Sequence, residues 1–168
     1  GTSGRFSSTL ATALTSTERV DARFNANNVK LNRNFDCEWE SAGTWQSRTV
    51  SEGDAPFSEP AAAAIRDYVI AYTPDDAVVW FSSKGKVYPS ACDDTPSDAS
   101  VALAATFATA AGYPAEAEFD AYAITGDMVN WMADKNIPAI SVLLSAHNDT
   151  EFDENLAGLE AVIAAYAE

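Results

Sequence analysis

The stretch VKLNRNFDCEW, residues 29–39, sets Asn32, Arg33 and Asn34 side by side inside what otherwise reads as a short buried strand from Val29 to Phe35. Such a strand favours apolar and β-branched residues, so an Asn-Arg pair there needs another reason. Arginine carries a planar fork of donors that matches a carboxylate, and a neighbouring amide adds a further donor. The pair is a candidate grip for an anion; a purely structural role, paired with acidic neighbours, is the competing reading. Lys30 beside it either pairs with a carboxylate or stands solvated, and solvation is the simpler expectation. Other candidates for chemistry are weaker. Cys37, Cys92 and the distant His147, the only histidine, do not make a zinc site. His147 reads as a loop or strand-end residue with a local hydrogen bond. The acidic runs TPDD (73–76) and CDDTPSD (92–98) lack the alternating Asp spacing and Gly of a calcium loop, so they read as solvated. Trp39, Trp45 and Trp80 read as packing residues rather than a sugar platform.

The elements that must position these groups fit one domain over residues 1–168. The chain is 47% hydrophobic and 21% charged, enough for a core of its own. Its net charge of −15 makes a surface that repels nucleic acid and anionic lipid. It has no apolar run of about 18 residues or more, so no membrane span is expected. The chain opens Gly-Thr-Ser-Gly without Met and without a visible signal peptide, which reads as a processed or excised chain with sequence missing before it. Two cysteines, each following an expected strand, fit one disulfide, Cys37–Cys92, in a secreted or cell-surface protein; two free buried thiols are the alternative.

Residues 1–20, rich in Ser and Thr, read as a weakly structured surface segment. A turn is expected at Asn27-Asn28, and residues 36–57 read as irregular. FSEPAAAAIRDYVIAY is a helix, with Ser58 as cap and Pro60 in its first turn. Ile65, Val69 and Tyr72 share one of its faces. AVVWF (77–81) and IPAISVLL (137–144) read as buried strands from their continuous apolar runs. KGKVYPS reads as a turn and extended piece. Further helices follow at SDASVALAATFATAAG, capped near Ser97 or Asp98 and ended by Gly112, and at GDMVNWMADKN. A closing helix places Phe152, Leu156, Leu159 and Ile163 on one face. The alternation predicts an α/β three-layer sandwich, with a mixed, mostly buried sheet flanked by helices.

The blocks RFNANNVKLNRNF, PFSEPAAAAIRDYV, VVWFSSKGKVYPSAC, YAITGDMVNWMADKNIPAISVLL and HNDTEFDENLAGLEAV come in the order of similar blocks in the zinc carboxypeptidases. The chain resembles the C-terminal half to two-thirds of that domain. The resemblance implies a role for four residues. Arg23, early in the RFN block, would polarise a scissile carbonyl. Asn32 and Arg33 would clamp a substrate's free C-terminal carboxylate. Tyr122, nine residues before Trp131, would close over the substrate.

Departures from the family pattern bear on activity. The family holds zinc with a His-x-x-Glu pair and a distant His, and activates the zinc water with a Glu. The His-x-x-Glu belongs to the N-terminal portion that this chain lacks. Phe81 stands at the third ligand's position and Leu143 at that of the catalytic Glu, and neither can do the work. Lys30 replaces an Asp common in that block, and Ser83 falls where some members carry a pocket Tyr. Phe81 and Leu143 are expected to face each other and fill the vacated cavity. The resemblance with these departures implies an inactive carboxypeptidase-like domain, without cofactor, serving as a binding or assembly module. The alternative is one chain of a processed or split zinc carboxypeptidase, with zinc held by a partner segment. A truncated sheet edge would be covered by a protein partner or a second copy, and a peptide C-terminus is the small ligand the clamp would take.

Overall fold

The computed structural model describes residues 22–45, 47–93 and 95–167; the expected surface segment 1–20 lies outside them. A 3₁₀ turn, Leu31–Arg33, comes first. A hairpin follows, β1 (Ala42–Trp45) against β2 (Arg48–Ser51). Then come α1 (Pro60–Tyr72), β3 (Ala77–Ser82), β4 (Lys86–Pro89), α2 (Asp98–Ala111), α3 (Met128–Asp134), β5 (Ala139–Leu144) and α4 (Phe152–Ala165). The larger sheet has the order β3-β5-β4, with β3 parallel and β4 antiparallel to β5. It is mixed, and helices cover both faces.

Side-chain alternation along the strands explains the layers. Ala77, Val79 and Phe81 of β3 point to the side of α1 and α3, where Phe35, Val69, Val129, Trp131 and Ala139 form one core. Phe35, Phe57 and Trp131 meet there as an aromatic trio, with centroids 5.2–5.7 Å apart. Val78, Val87, Ile140 and Val142 point the other way, onto Phe107 and Val162 of α2 and α4. Gly158 lets these two helices close up, since a Cβ there would lie 2.7 Å from the Phe107 ring. A disulfide joins Cys37 to Cys92, with Cα atoms 5.6 Å apart, and ties the first loop to the end of β4.

Several expectations need correction. Val29–Phe35 is not a strand: Arg33 and Asn34 donate back to Lys30 and Leu31 at 2.8 and 3.1 Å, which curls the segment into a turn. Residues 36–57 contain the β1–β2 hairpin. The α1 cap is not Ser58; the Glu59 N–H donates to Asn34 Oδ1 at 2.9 Å. Among the described residues β3 is an edge strand, with Trp80 exposed. On α4 Leu159 packs against the core, but Phe152, Leu156 and Ile163 face outward, Phe152 67% and Ile163 68% exposed, because Asn155, Gly158 and Val162 are turned inward. On α1, Val69 is buried, whereas Ile65 and Tyr72 are exposed. The Ser97 cap is present, its hydroxyl accepting from the Ser100 N–H at 3.1 Å.

Candidate functional site

A cavity of about 1530 Å³ opens at the carboxyl ends of β3 and β5, the end at which open α/β sheets gather ligands. It brings Arg23, Asn32, Arg33, Tyr122, Phe81 and Leu143 together in one lining. Phe81 and Leu143 are register partners across the parallel pair and both are half-buried. They line the floor without filling it, so the expected plug of the cavity is not seen.

The turn that presents the polar wall is held from behind. Asn34 is fully buried; its amide donates to the Glu52 and Ala55 carbonyls at 2.6 and 2.9 Å. The Phe35 N–H donates to the Gly126 carbonyl at 3.0 Å, and the Gly126 N–H returns to Cys37 at 2.8 Å. Gly126 has φ +60°, and a Cβ there would sit 2.0 Å from the Arg33 carbonyl oxygen. Only glycine combines that conformation with that approach.

Asn32 donates to Asp127 Oδ2 at 2.7 Å and accepts from the Met128 N–H at 3.2 Å. Asp127 uses its other oxygen to cap α3, accepting from Val129 at 2.8 Å and Asn130 at 3.1 Å. Arg33 is 3% exposed. Its Nη1 donates to the Thr125 carbonyl at 3.3 Å and lies 3.7 Å from Asp127. Its Nε is buried without a partner among the described residues. A buried, unsatisfied guanidinium donor is costly, and an anionic acceptor is what relieves it. Both readings of Arg33 therefore have a physical correlate: an acidic neighbour and a free donor.

Lys30 is 7% exposed, which overturns the expectation of a solvated side chain. The hairpin explains this, since Trp45 lies under the ammonium with its ring centroid 5.5 Å from Nζ. The Arg23 guanidinium lies over the same ring at 4.9 Å. Burial, then Arg33 and Arg23, push the Lys30 amine down to about 8, against the pull of Asp127 and Glu52. Glu52 is wholly buried behind the turn, accepting from the Thr125 hydroxyl and, at 3.3 Å, from the Glu40 N–H. Burial pushes its carboxyl up, partly offset by those hydrogen bonds and by Arg33. Tyr122 is half-buried on the opposite wall, edge-on to Phe119 at 5.0 Å. His147 is exposed at the rim, with Nδ1 2.8 Å from Ser82 Oγ and Nε2 3.4 Å from Ser83 Oγ.

Sequence reasoning missed Glu52, which SEGDAP presented as a loop residue; only the hairpin's fold over the turn buries it.

The donor set does not fit a zinc ion. Zinc takes sulfur, imidazole nitrogen or carboxylate oxygen, and Phe81 and Leu143 offer none. Among the described residues no three His, Cys, Asp or Glu side chains gather in metal-holding geometry. Lys30, Arg23 and Arg33 make the wall electropositive, which opposes a dication.

Solved structures similar to this one include an amidase and a carboxypeptidase. Murein-tripeptide amidase from Escherichia coli O157 aligns with a TM-score of 0.63 at 22% identity, over 84% of this chain and 59% of that one. Carboxypeptidase A from Helicoverpa armigera aligns with a TM-score of 0.67 at 17% identity, over 86% and 44%. Thrombin activatable fibrinolysis inhibitor aligns with a TM-score of 0.61 at 20% identity, over 82% and 40%. The chain thus spans 40–59% of the length of these three structures. No curated protein sequence matches it. The zinc carboxypeptidase family profile, peptidase family M14, matches residues 8–156, most of the 168-residue chain. With the fold and the family's block order both present, the chain belongs to the zinc carboxypeptidase family.

Proposed function

We propose that this chain is a non-hydrolytic carboxypeptidase-like domain that binds the free carboxyl end of a peptide. The observation that carries the reading is Arg33: a buried guanidinium with an unpartnered Nε, lining a cavity whose floor is Phe81 and Leu143. The clamp side is polar and cationic, while the side where a metal and a base would act is apolar. Replacing charged groups by packed apolar ones is often neutral or stabilising once their chemistry is no longer selected. Tyr122 supports the reading as a wall against the bound tail, and Arg23 as a second cation near its last peptide group.

The module would work within a larger assembly outside the cell. The disulfide supports an oxidising compartment. No described helix is long and apolar enough to cross a membrane. Edge strand β3 has no strand on its outer side among the described residues. Nearby Trp80, Phe152, Leu156 and Ile163 are exposed, and a partner chain or a second copy would cover them.

The test compares a short acetylated peptide with its C-terminal amide by titration calorimetry in a chelating buffer. A charge-assisted pair with Arg33 is worth about 1.5–3 kcal/mol, so the free acid should bind about 10- to 100-fold more tightly. Equal binding would overturn the reading. The second reading, one chain of a split zinc carboxypeptidase, rests on the family match and on the blocks that carry Arg23, Asn32 and Arg33. It requires a partner segment to supply every missing donor around Phe81 and Leu143.

A further inference from the structure

Two buried cations face this cavity, and one terminal carboxylate neutralises only one of them. Lys30 and Arg33 are 7% and 3% exposed. They are adjacent through the Leu31–Arg33 turn, and Arg33 disfavours the charge on Lys30. Lys30 has the Trp45 face beneath it at 5.5 Å and no ion pair within 4.0 Å among the described residues. The neighbouring carboxylates are committed elsewhere. Asp127 holds Asn32, caps α3 and lies 3.7 Å from Arg33. Glu52 is held by Thr125 and Glu40. Glu38, Glu40 and Glu118 line the rim but are exposed to solvent, which screens them. A cavity this cationic at depth, in a chain of net charge −15, is arranged for a ligand with more than one negative group.

We propose that Lys30 makes the cavity selective for dicarboxylates, namely peptide tails ending in Asp or Glu, with the terminal carboxylate on Arg33 and the side-chain carboxylate on Lys30. This rests on the carboxyl-end reading of the same cavity and adds the ligand class. Lys30 and Arg33 stand three residues apart on one turn and both line the cavity. The Lys30 ammonium is compact and its three donors can turn toward whichever oxygen arrives. Trp45 supplies an apolar and π surface that keeps the charge partly desolvated, so a carboxylate gains more there than in water.

The selectivity should depend on pH. Both ligand carboxylates are ionised above about pH 5. The charged groups around the ammonium are Arg33, Arg23, Asp127 and Glu52. Lys30 itself is charged below about 8, and a bound carboxylate raises that value. The preference for an acidic last residue is therefore present at neutral pH and lost as pH rises toward 10.

Three acetylated tetrapeptides decide the matter by titration calorimetry: Ala-Ala-Ala-Glu, Ala-Ala-Ala-Gln, and the first with its C-terminus amidated. Wild-type protein should bind the Glu peptide about 10-fold more tightly than the Gln peptide at pH 7, as one charge-assisted hydrogen bond predicts. Lys30→Met and Lys30→Gln should bring the two within about 2-fold while keeping the preference for acid over amide. Equal binding of Glu and Gln peptides by wild-type protein, with acid still preferred over amide, overturns the role of Lys30 alone. Loss of the acid-over-amide preference as well overturns the carboxyl-end reading beneath it. If neither Lys30 variant folds, the wild-type Glu/Gln ratio at pH 7 and pH 10 still decides: a ratio unchanged between them overturns the proposal.

Discussion

Replacing Lys30 by Met should stabilise the ligand-free protein. The perturbation keeps a long, flexible chain over Trp45 and removes the ammonium. Moving a lysine from 10.5 to about 8 corresponds to about 3 kcal/mol of penalty on the charged form. Relaxation around the new side chain and screening at the cavity mouth reduce this, so a gain of about 1–3 kcal/mol is expected at pH 7. The sign with pH follows from proton counting. Below about 8 both folded and unfolded chains hold the proton, and the wild type carries the full penalty. Between about 8 and 10.5 the folded chain releases its proton first, so wild-type stability climbs toward that of the variant. Above about 10.5 both states are neutral and the difference closes. Urea unfolding of the two proteins at pH 7, 9 and 10.5, compared as a difference, reads this directly. A variant less stable than wild type at pH 7, or a gain that does not shrink with pH, would refute the burial argument. The same substitution should weaken binding of acidic tails, so stability and function would move in opposite directions.

Three further outcomes follow from the support of the turn and the chemistry of the floor. Asn34→Ala leaves the buried Glu59 N–H without its acceptor and takes one donor each from the Glu52 and Ala55 carbonyls, which keep Trp39 and Ser58; it should cost about 2–3 kcal/mol in urea unfolding. Gly126→Ala drives a Cβ toward the Arg33 carbonyl oxygen at a φ of +60°; a loss of about 2–4 kcal/mol is expected, with weaker carboxylate binding in calorimetry because the Arg33 turn must shift. Phe81→His combined with Leu143→Glu should yield no peptidase activity in this chain, since its single native histidine, His147, is bonded to Ser82 at the rim; release of a C-terminal residue, followed by mass spectrometry with added zinc, checks it.

The fold was legible wherever local pattern and tertiary context agreed. Continuous apolar runs marked β3 and β5, and Pro60, Ser97 and Gly112 marked helix boundaries through backbone chemistry that acts within a turn. The block order carried the family. Failures came where long-range contacts decide. Val29–Phe35 looks extended, yet Asn34 spends its amide on the Glu52–Ser58 loop and Asn32 on Asp127, distant in sequence. The hairpin at 42–51 has polar turn residues and little alternation, so periodicity could not find it. On α4 Phe152, Leu156 and Ile163 suggested the wrong face, because Gly158 and Asn155 pack inward against Phe107 and Trp80. At the site, Arg33 was legible from residue type. The burial of Lys30 and Glu52 was not, because burial of a charged residue depends on what folds over it.

The central claim is that this cavity binds carboxylates without zinc chemistry. Elemental mass spectrometry of protein purified without chelator or added metal, with intact mass on the same sample, tests it most directly. Zinc well below one atom per chain, with a mass matching this chain alone, is the predicted result. Stoichiometric zinc, with or without a companion fragment, would contradict it and place the missing donors on another segment.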